Sequence, residues 1–324
     1  MITQSAYRPA WWLPGPHLMT MVPALLRRLP PLETRRERFT LPDGDFVDLE
    51  WGPEPETADA PLLLLLHGLE GSIDSRYIRG MLLMAARRGW RGVLMHFRGC
   101  SGAPNLRARA YHSGETGDLG VVATSLAARF PHVSRFAVGF SLGANVLLKY
   151  LGERGAESTF SRAVAVSVPM MLAPCADRLR RGASRIYDRW LLHSLKASVA
   201  RKAACMALPL DLDAVRRARS LRAFDDAVTA PLHGFEGADD YYARSSSRPF
   251  LGRIEIPTLI LQARDDPFMT DAVLPRPEEL SPSVTLELSA RGGHVGFVGG
   301  RNPFAPVWWV EARAGAFLAD DQVE

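Results

Sequence analysis

Lysine is nearly missing from this chain: it occurs only at Lys149, Lys196 and Lys202, so almost all of the 39 basic residues are arginines. They stand against 35 acids, for a net charge of +4, and are spread along the chain and interleaved with those acids. No clustered basic stripe can be read, so no nucleic-acid partner is expected. Cysteine is also scarce. Cys100, Cys175 and Cys205 are scattered and lack metal-ligand spacing, which excludes a disulfide framework and fits free thiols in a reducing compartment. No apolar run approaches the ~20 residues needed to cross a bilayer. The first ten residues carry no basic leader, and no small-residue cleavage site follows an apolar run. A cytoplasmic location is expected.

What is present suits a globular enzyme-sized body. The 324 residues are 47% hydrophobic and 23% charged, enough for one large domain or a core carrying an insertion. Residues 11–26 are apolar and include Trp11, Trp12, Met19, Met21 and Leu25, but Pro14, Pro16 and Pro23 interrupt any long amphipathic helix. This stretch is therefore expected to pack on the body of the protein, with weak contact to a membrane surface as the alternative.

Short apolar runs alternate with longer helical ones. Residues 38–41 and 46–51 flank a Pro42-Asp43-Gly44 turn and read as a hairpin. Residues 61–66 are a proline followed by five leucines, the composition of a strand buried on both faces. Residues 92–97, 135–140, 163–168, 258–262 and 284–288 supply further strands. Helical patterns cover 75–88, 114–130, 142–153 and 303–318. In the first of these, Ile78, Met81, Leu82 and Ala85 share one face. The alternation predicts a mainly parallel sheet of eight strands with right-handed crossovers. Residues 169–256 contain helical stretches such as 178–198 and no buried strand. They are expected to be a helical cap inserted into a core made of 1–168 and 257–324.

Gly139-Phe140-Ser141-Leu142-Gly143 matches G-x-S-x-G. A strand runs into it and a helix runs out, which is what a nucleophile elbow of the α/β-hydrolase fold requires. The glycines leave room for a tight turn that projects the Ser141 hydroxyl from the sheet. A serine needs a base to become nucleophilic, and in this fold the acid and histidine follow it in that order. His294, in Arg291-Gly292-Gly293-His294 just past the last strand, is the expected base. Asp265 and Asp266 follow the preceding strand. Asp266, before Pro267-Phe268, is expected to orient the imidazole, and Asp265 to anchor the loop. Two backbone N–H donors should hold an oxyanion: Leu142, after the nucleophile, and Leu69, in His67-Gly68-Leu69-Glu70-Gly71. His67 is read as shaping that loop. Phe97-Arg98-Gly99-Cys100-Ser101-Gly102 fits neither glycine-rich phosphate motif and is read as a loop lining the site, with no catalytic role for Cys100.

These motifs, with Tyr111-His112-Ser113-Gly114, Phe224-Asp225-Asp226, Pro231-Leu232-His233-Gly234-Phe235 and Gly292 to Phe297, resemble the YheT-like branch of the α/β hydrolases over nearly the whole chain. The resemblance implies a triad of Ser141, Asp266 and His294, and ester hydrolysis or acyl transfer on acyl esters without a cofactor or metal. The expected substrate is a small, lipid-like acyl ester. A non-catalytic scaffold of the same fold is the rival from another class. A dehalogenase would place a carboxylate at position 141, and a metal hydrolase would need a second histidine at ligand spacing to His294.

Overall fold

The computed structural model describes residues 1–320. Nine strands form its main sheet: β1 (Ile2–Gln4), β2 (Arg35–Thr40), β3 (Phe46–Trp51), β4 (Leu62–Leu66), β5 (Arg91–Met95), β6 (Arg135–Phe140), β7 (Arg162–Val166), β8 (Thr258–Ala263) and β9 (Val284–Ser289). Their spatial order is β1-β9-β8-β7-β6-β4-β5-β3-β2. Only β3 opposes the rest: it pairs antiparallel with β5 and β2, and every other pairing is parallel. The expected count of eight is corrected to nine by β1, which pairs with the outer edge of β9. Its three residues, Ile-Thr-Gln, are too few to display a period.

The helices are α1 (Pro16–Leu26), α2 (Arg76–Arg87), α3 (Gly117–Arg129), α4 (Leu142–Arg154), α5 (Leu172–Leu179), α6 (Arg185–Ala203), α7 (Leu212–Arg217), α8 (Leu221–Phe224), α9 (Ala230–His233), α10 (Ala238–Ser245) and α11 (Trp309–Ala319). The five leucines of β4 show why a strand with no polar alternation is stable here. Leu62, Leu64 and Leu66 enter a core with Leu119, Val122, Leu147 and Leu148 of α3 and α4. Leu63 and Leu65 enter a second core with Ile78, Met81, Val310 and Ala314 of α2 and α11. Successive side chains point to opposite faces, and helices cover both.

Two helical expectations are corrected. The closing helix starts at Trp309, because Val298–Gly299 and Val307–Trp308 pair as a small antiparallel ribbon before it. The run expected over 178–198 is broken between α5 and α6, where Gly182 adopts φ +55°. Among the described residues, 169–256 hold α5 to α10 and no strand. At the other end of the design, β4 lies between β5 and β6. The chain leaves β4 toward one neighbour and returns on the other side, so the carboxyl ends of β4 and β6 frame a crevice at a topological switch point.

Candidate active site

The turn after β6 sets Ser141 at φ 52°, ψ −119°, a backbone region that L-residues rarely occupy and that costs roughly 1–3 kcal/mol. Its surroundings hold it there. The Ser141 N–H donates to Val166 O at 2.9 Å, and the Ser141 carbonyl accepts from Ala144 and Asn145 at 3.0 and 3.1 Å. The flanking glycines are needed for contact. A Cβ on Gly139 would lie 2.6 Å from Ala144 Cα, and one on Gly143 would lie 2.5 Å from His67 O and 2.6 Å from Leu66 O. Because those neighbours are backbone, Gly143→Ala is expected to destabilise the protein by about 2–3 kcal/mol. Urea midpoints would measure this, and an unchanged midpoint would show that the turn relaxes freely.

Asp266, Ser141 and His294, remote in the chain, meet above the strand ends. His294 Nε2 accepts from the Ser141 hydroxyl at 2.9 Å. His294 Nδ1–H donates to Asp266 Oδ2 at 2.8 Å. Asp266 is buried, at 2% exposure, and its other oxygen accepts from the Phe268 N–H at 2.8 Å. Asp265 lies in the same loop but turns away from the imidazole: its Oδ1 accepts from the Gly293 N–H at 2.9 Å. Burial pushes the Asp265 carboxyl up in pKa, and the Gly292 and Gly293 amides pull it back.

The loop after β4 leaves one amide free. Gly68 N–H donates to Tyr77 OH at 2.9 Å, Glu70 N–H to Tyr111 OH at 2.8 Å, and Gly71 N–H back to Gly68 O at 3.0 Å. Among the described residues the Leu69 N–H has no acceptor, and neither does the Leu142 N–H at the start of α4. Gly68 keeps the two segments close, since a Cβ there would lie 3.3 Å from Ser141 Cβ. His67 has a structural task. Its Nε2 accepts from the Phe97 N–H at 3.1 Å, so Nδ1 carries the proton and donates to Gly68 O at 2.7 Å. Burial lowers its pKa to about 3, which keeps it neutral. Glu70 ties this loop to α6: its carboxylate accepts from Tyr111, Ser194 and Ser198 hydroxyls at 2.9, 3.2 and 2.6 Å.

Several contributors escaped sequence reasoning. Thr20 of α1 accepts the His294 N–H at 2.9 Å and donates to Pro16 O at 2.7 Å. Ser167, just past β7, accepts the Val295 N–H at 2.9 Å. The Phe268 ring stacks on the His294 imidazole with centroids 3.9 Å apart and planes 5° from parallel. Within residues 11–26, Leu13, Met19, Thr20 and Pro23 are buried while Trp11, Leu18, Leu25 and Leu26 stay exposed, and α1 lies so close to the His294 loop that a Cβ on Gly296 would stand 2.1 Å from Met19 O. The only sequence signal for this was the run Gly292, Gly293 and Gly296.

His112, Glu115 and His233 also converge, with one ligand atom each inside 4.8 Å. His233 Nε2 is buried with no hydrogen-bond partner, but the bonding of His112 and Glu115 disfavours a metal ion. His112 Nδ1 accepts from the Gly114 N–H at 3.1 Å, which leaves the proton on Nε2, facing Glu115 at 3.6 Å. Arg109 pairs with Glu115. Burial and then the charges of Arg109, Lys149 and Arg244 lower the His112 pKa to about 3, and the same charges would repel a cation.

Above these groups is a cavity of about 680 Å³ that reaches Ser141, His294, Leu69 and Leu142. Its walls come from α1 and from the helices between β7 and β8, through side chains such as Met21, Leu172, Leu191, Phe224 and Val228. Cys100 lines it as well, with a thiol whose pKa burial pushes well up. This is a pocket of ligand-binding size, mostly apolar, with a few convergent polar groups on its floor.

A family model described as the α/β hydrolase fold matches residues 61–300. The protein named "Putative esterase YheT" of Escherichia coli (strain K12) is 47% identical over 300 residues, which cover 92% of this chain and 88% of that protein. Phospholipase ABHD3 of Mus musculus is 31% identical over 307 residues, covering 92% of this chain and 75% of its own. Among solved structures, the Pyrococcus furiosus esterase Pf2001 superposes with a TM-score of 0.58 at 16% identity, covering 91% of this chain and 97% of that one. That last likeness concerns the fold alone.

Proposed function

This chain belongs to the α/β-hydrolase family, in its YheT-like branch, and from that premise we propose that it is a serine esterase that cleaves carboxylic esters with apolar acyl chains. The observation that carries the reading is the position of His294, hydrogen-bonded at once to Ser141 and to Asp266. In the proposed reaction His294 Nε2 takes the hydroxyl proton as Ser141 Oγ bonds to the ester carbonyl carbon. The carbonyl electron pair moves onto oxygen, which the Leu69 and Leu142 N–H groups hold. Asp266 stabilises the imidazolium without taking its proton. The intermediate collapses, His294 protonates the departing alcohol, and an acyl group remains on Ser141. Water, deprotonated by His294, then attacks the acyl carbon, and His294 returns that proton to Ser141 Oγ as the acid departs.

Residues 169–256 act in this reading as a cap over a core formed by 1–168 and 257–324. The apolar walls contributed by α5, α6 and α8 would receive the acyl chain, and the name of the mouse phospholipase relative points toward lipid-like esters. A series of nitrophenyl esters tests this. Each methylene buried is worth up to ~0.8 kcal/mol, so kcat/KM is expected to rise at least about tenfold from the acetate to a medium-chain ester. A flat or falling profile would remove the acyl-chain assignment, and no turnover of any ester would remove the esterase reading.

A further inference from the structure

Two helices from distant parts of the chain meet at the cavity mouth. His17 of α1 and Tyr187 of α6 are joined by a 3.0 Å hydrogen bond between Nδ1 and the hydroxyl, and their rings stack at 5.7 Å. The outward face of α1 is apolar, and α6 exposes Ile186 and Trp190 next in the chain to Arg185 and Arg189. Leu18, Leu25 and Leu26 of α1 are 46%, 57% and 70% exposed, and Ile186 and Trp190 of α6 are 58% and 67% exposed. Leu25, Ile186 and Trp190 also line the cavity, so the apolar patch runs from the surface into the site. A lone exposed leucine means little, whereas a contiguous set around a pocket entrance marks a contact surface.

The charge around this rim is one-sided. Residues 1–32 contain Arg8, Arg27 and Arg28 and no acid. Residues 178–210 contain eight cations and one acid, Asp188. That acid is buried, and its carboxylate accepts the Leu221 N–H at 3.1 Å. The even spread of charge expected along the chain therefore fails here, on α6 and its approach. Arg185 and Arg189, chain neighbours of Ile186 and Trp190, are exposed, and Arg28, Arg180 and Arg181 are exposed too. Among the described residues none of these five is in a salt bridge, and Arg180, Arg185 and Arg189 act on an acid only at longer range, lowering the buried Asp188 carboxyl against the larger upward push of burial.

We propose that this rim docks on an anionic lipid surface. Leu18, Leu25, Leu26, Ile186 and Trp190 enter the boundary between headgroups and acyl chains, while Arg185, Arg189 and Arg28 face lipid phosphates. A second copy of this chain is a poorer occupant, because a two-fold contact through the rim would set the same arginines against one another. The purpose of docking, delivery of an acyl ester into the cavity without passage through water, rests on the esterase reading above, but the binding does not.

Sedimentation with vesicles tests it. The parent is expected to bind vesicles of phosphatidylcholine with phosphatidylglycerol at least about tenfold more tightly than phosphatidylcholine alone, and to lose this preference in high salt. Arg185→Glu with Arg189→Glu, and separately Leu18→Asp with Leu26→Asp, are each expected to weaken that binding about tenfold or more. Both double variants should turn over a water-soluble nitrophenyl ester as the parent does, which also shows that they fold. Failure of the parent to bind, equal binding to both vesicle types, or parent-like binding by the variants would overturn the proposal. So would a parent dimer that the Leu18→Asp, Leu26→Asp pair dissolves. Loss of the esterase reading would show instead as an inactive parent that still binds vesicles.

Discussion

The Ser141→Ala protein is expected to lose ester turnover by ~10⁴-fold or more, since members of such a triad act as a unit. That corresponds to about 5.5 kcal/mol of barrier or more. The fold should be untouched, because the Ser141 hydroxyl contributes one hydrogen bond, to His294, while the turn is held by its backbone contacts to Val166, Ala144 and Asn145. A fluorophosphonate probe should label the parent at Ser141 and leave the variant unlabelled. Ser141→Gly provides an independent check on the strained turn. At φ 52° and ψ −119° glycine is at ease, so this inactive variant should be more stable than Ser141→Ala by roughly 1 kcal/mol. Turnover by the alanine variant equal to the parent would end the proposed mechanism.

Asp266→Asn should cost ~10⁴-fold in kcat, while its neighbour Asp265→Asn should cost no more than about tenfold. The difference follows from which atoms each carboxylate meets. Asp266 accepts from both the Phe268 N–H and the His294 Nδ1–H. An asparagine that keeps its oxygen on the Phe268 amide turns its NH₂ toward Nδ1. The imidazole then carries its proton on Nε2, where it cannot receive one from Ser141. Asp265 accepts the Gly293 N–H, and an asparagine oxygen can do that equally well. Equal losses from the two substitutions, measured on the same ester, would overturn the division of labour between them.

Where the sequence was legible, a local pattern encoded a local demand. Five leucines in β4 reported a strand covered on both faces. Gly139 and Gly143 reported backbone contacts that leave no space for a Cβ, and the strand–turn–helix setting made Ser141 stand out from other serines. His294 and Asp266 could be placed because chain order and position past a strand end limited the choices. The illegible parts are pairings between remote segments. Nothing around Thr20 announces that it holds the His294 amide, and nothing near Ser194 and Ser198 announces that Glu70 will reach them. His112 and His233 are likewise neighbours only after folding, with ring centroids 4.5 Å apart. The strand β1 was missed for a different reason: its pairing partner, β9, defines it more than its own three residues do.

The contacts of β1 and α1 also join segments that are far apart in the sequence. Ile2 to Gln4 pair with Leu286 to Leu288, and Thr20 receives the amide of His294. Contacts of such long sequence separation form late, since a large loop must close before they repay it. The turn that carries Ser141, built from β6 and α4, is local in the sequence, whereas His294 reaches it across a separation of 153 residues. In the esterase reading proposed above, a chain that has formed the Ser141 turn but not yet closed the loop to His294 has no activated serine, so activity would report that closure.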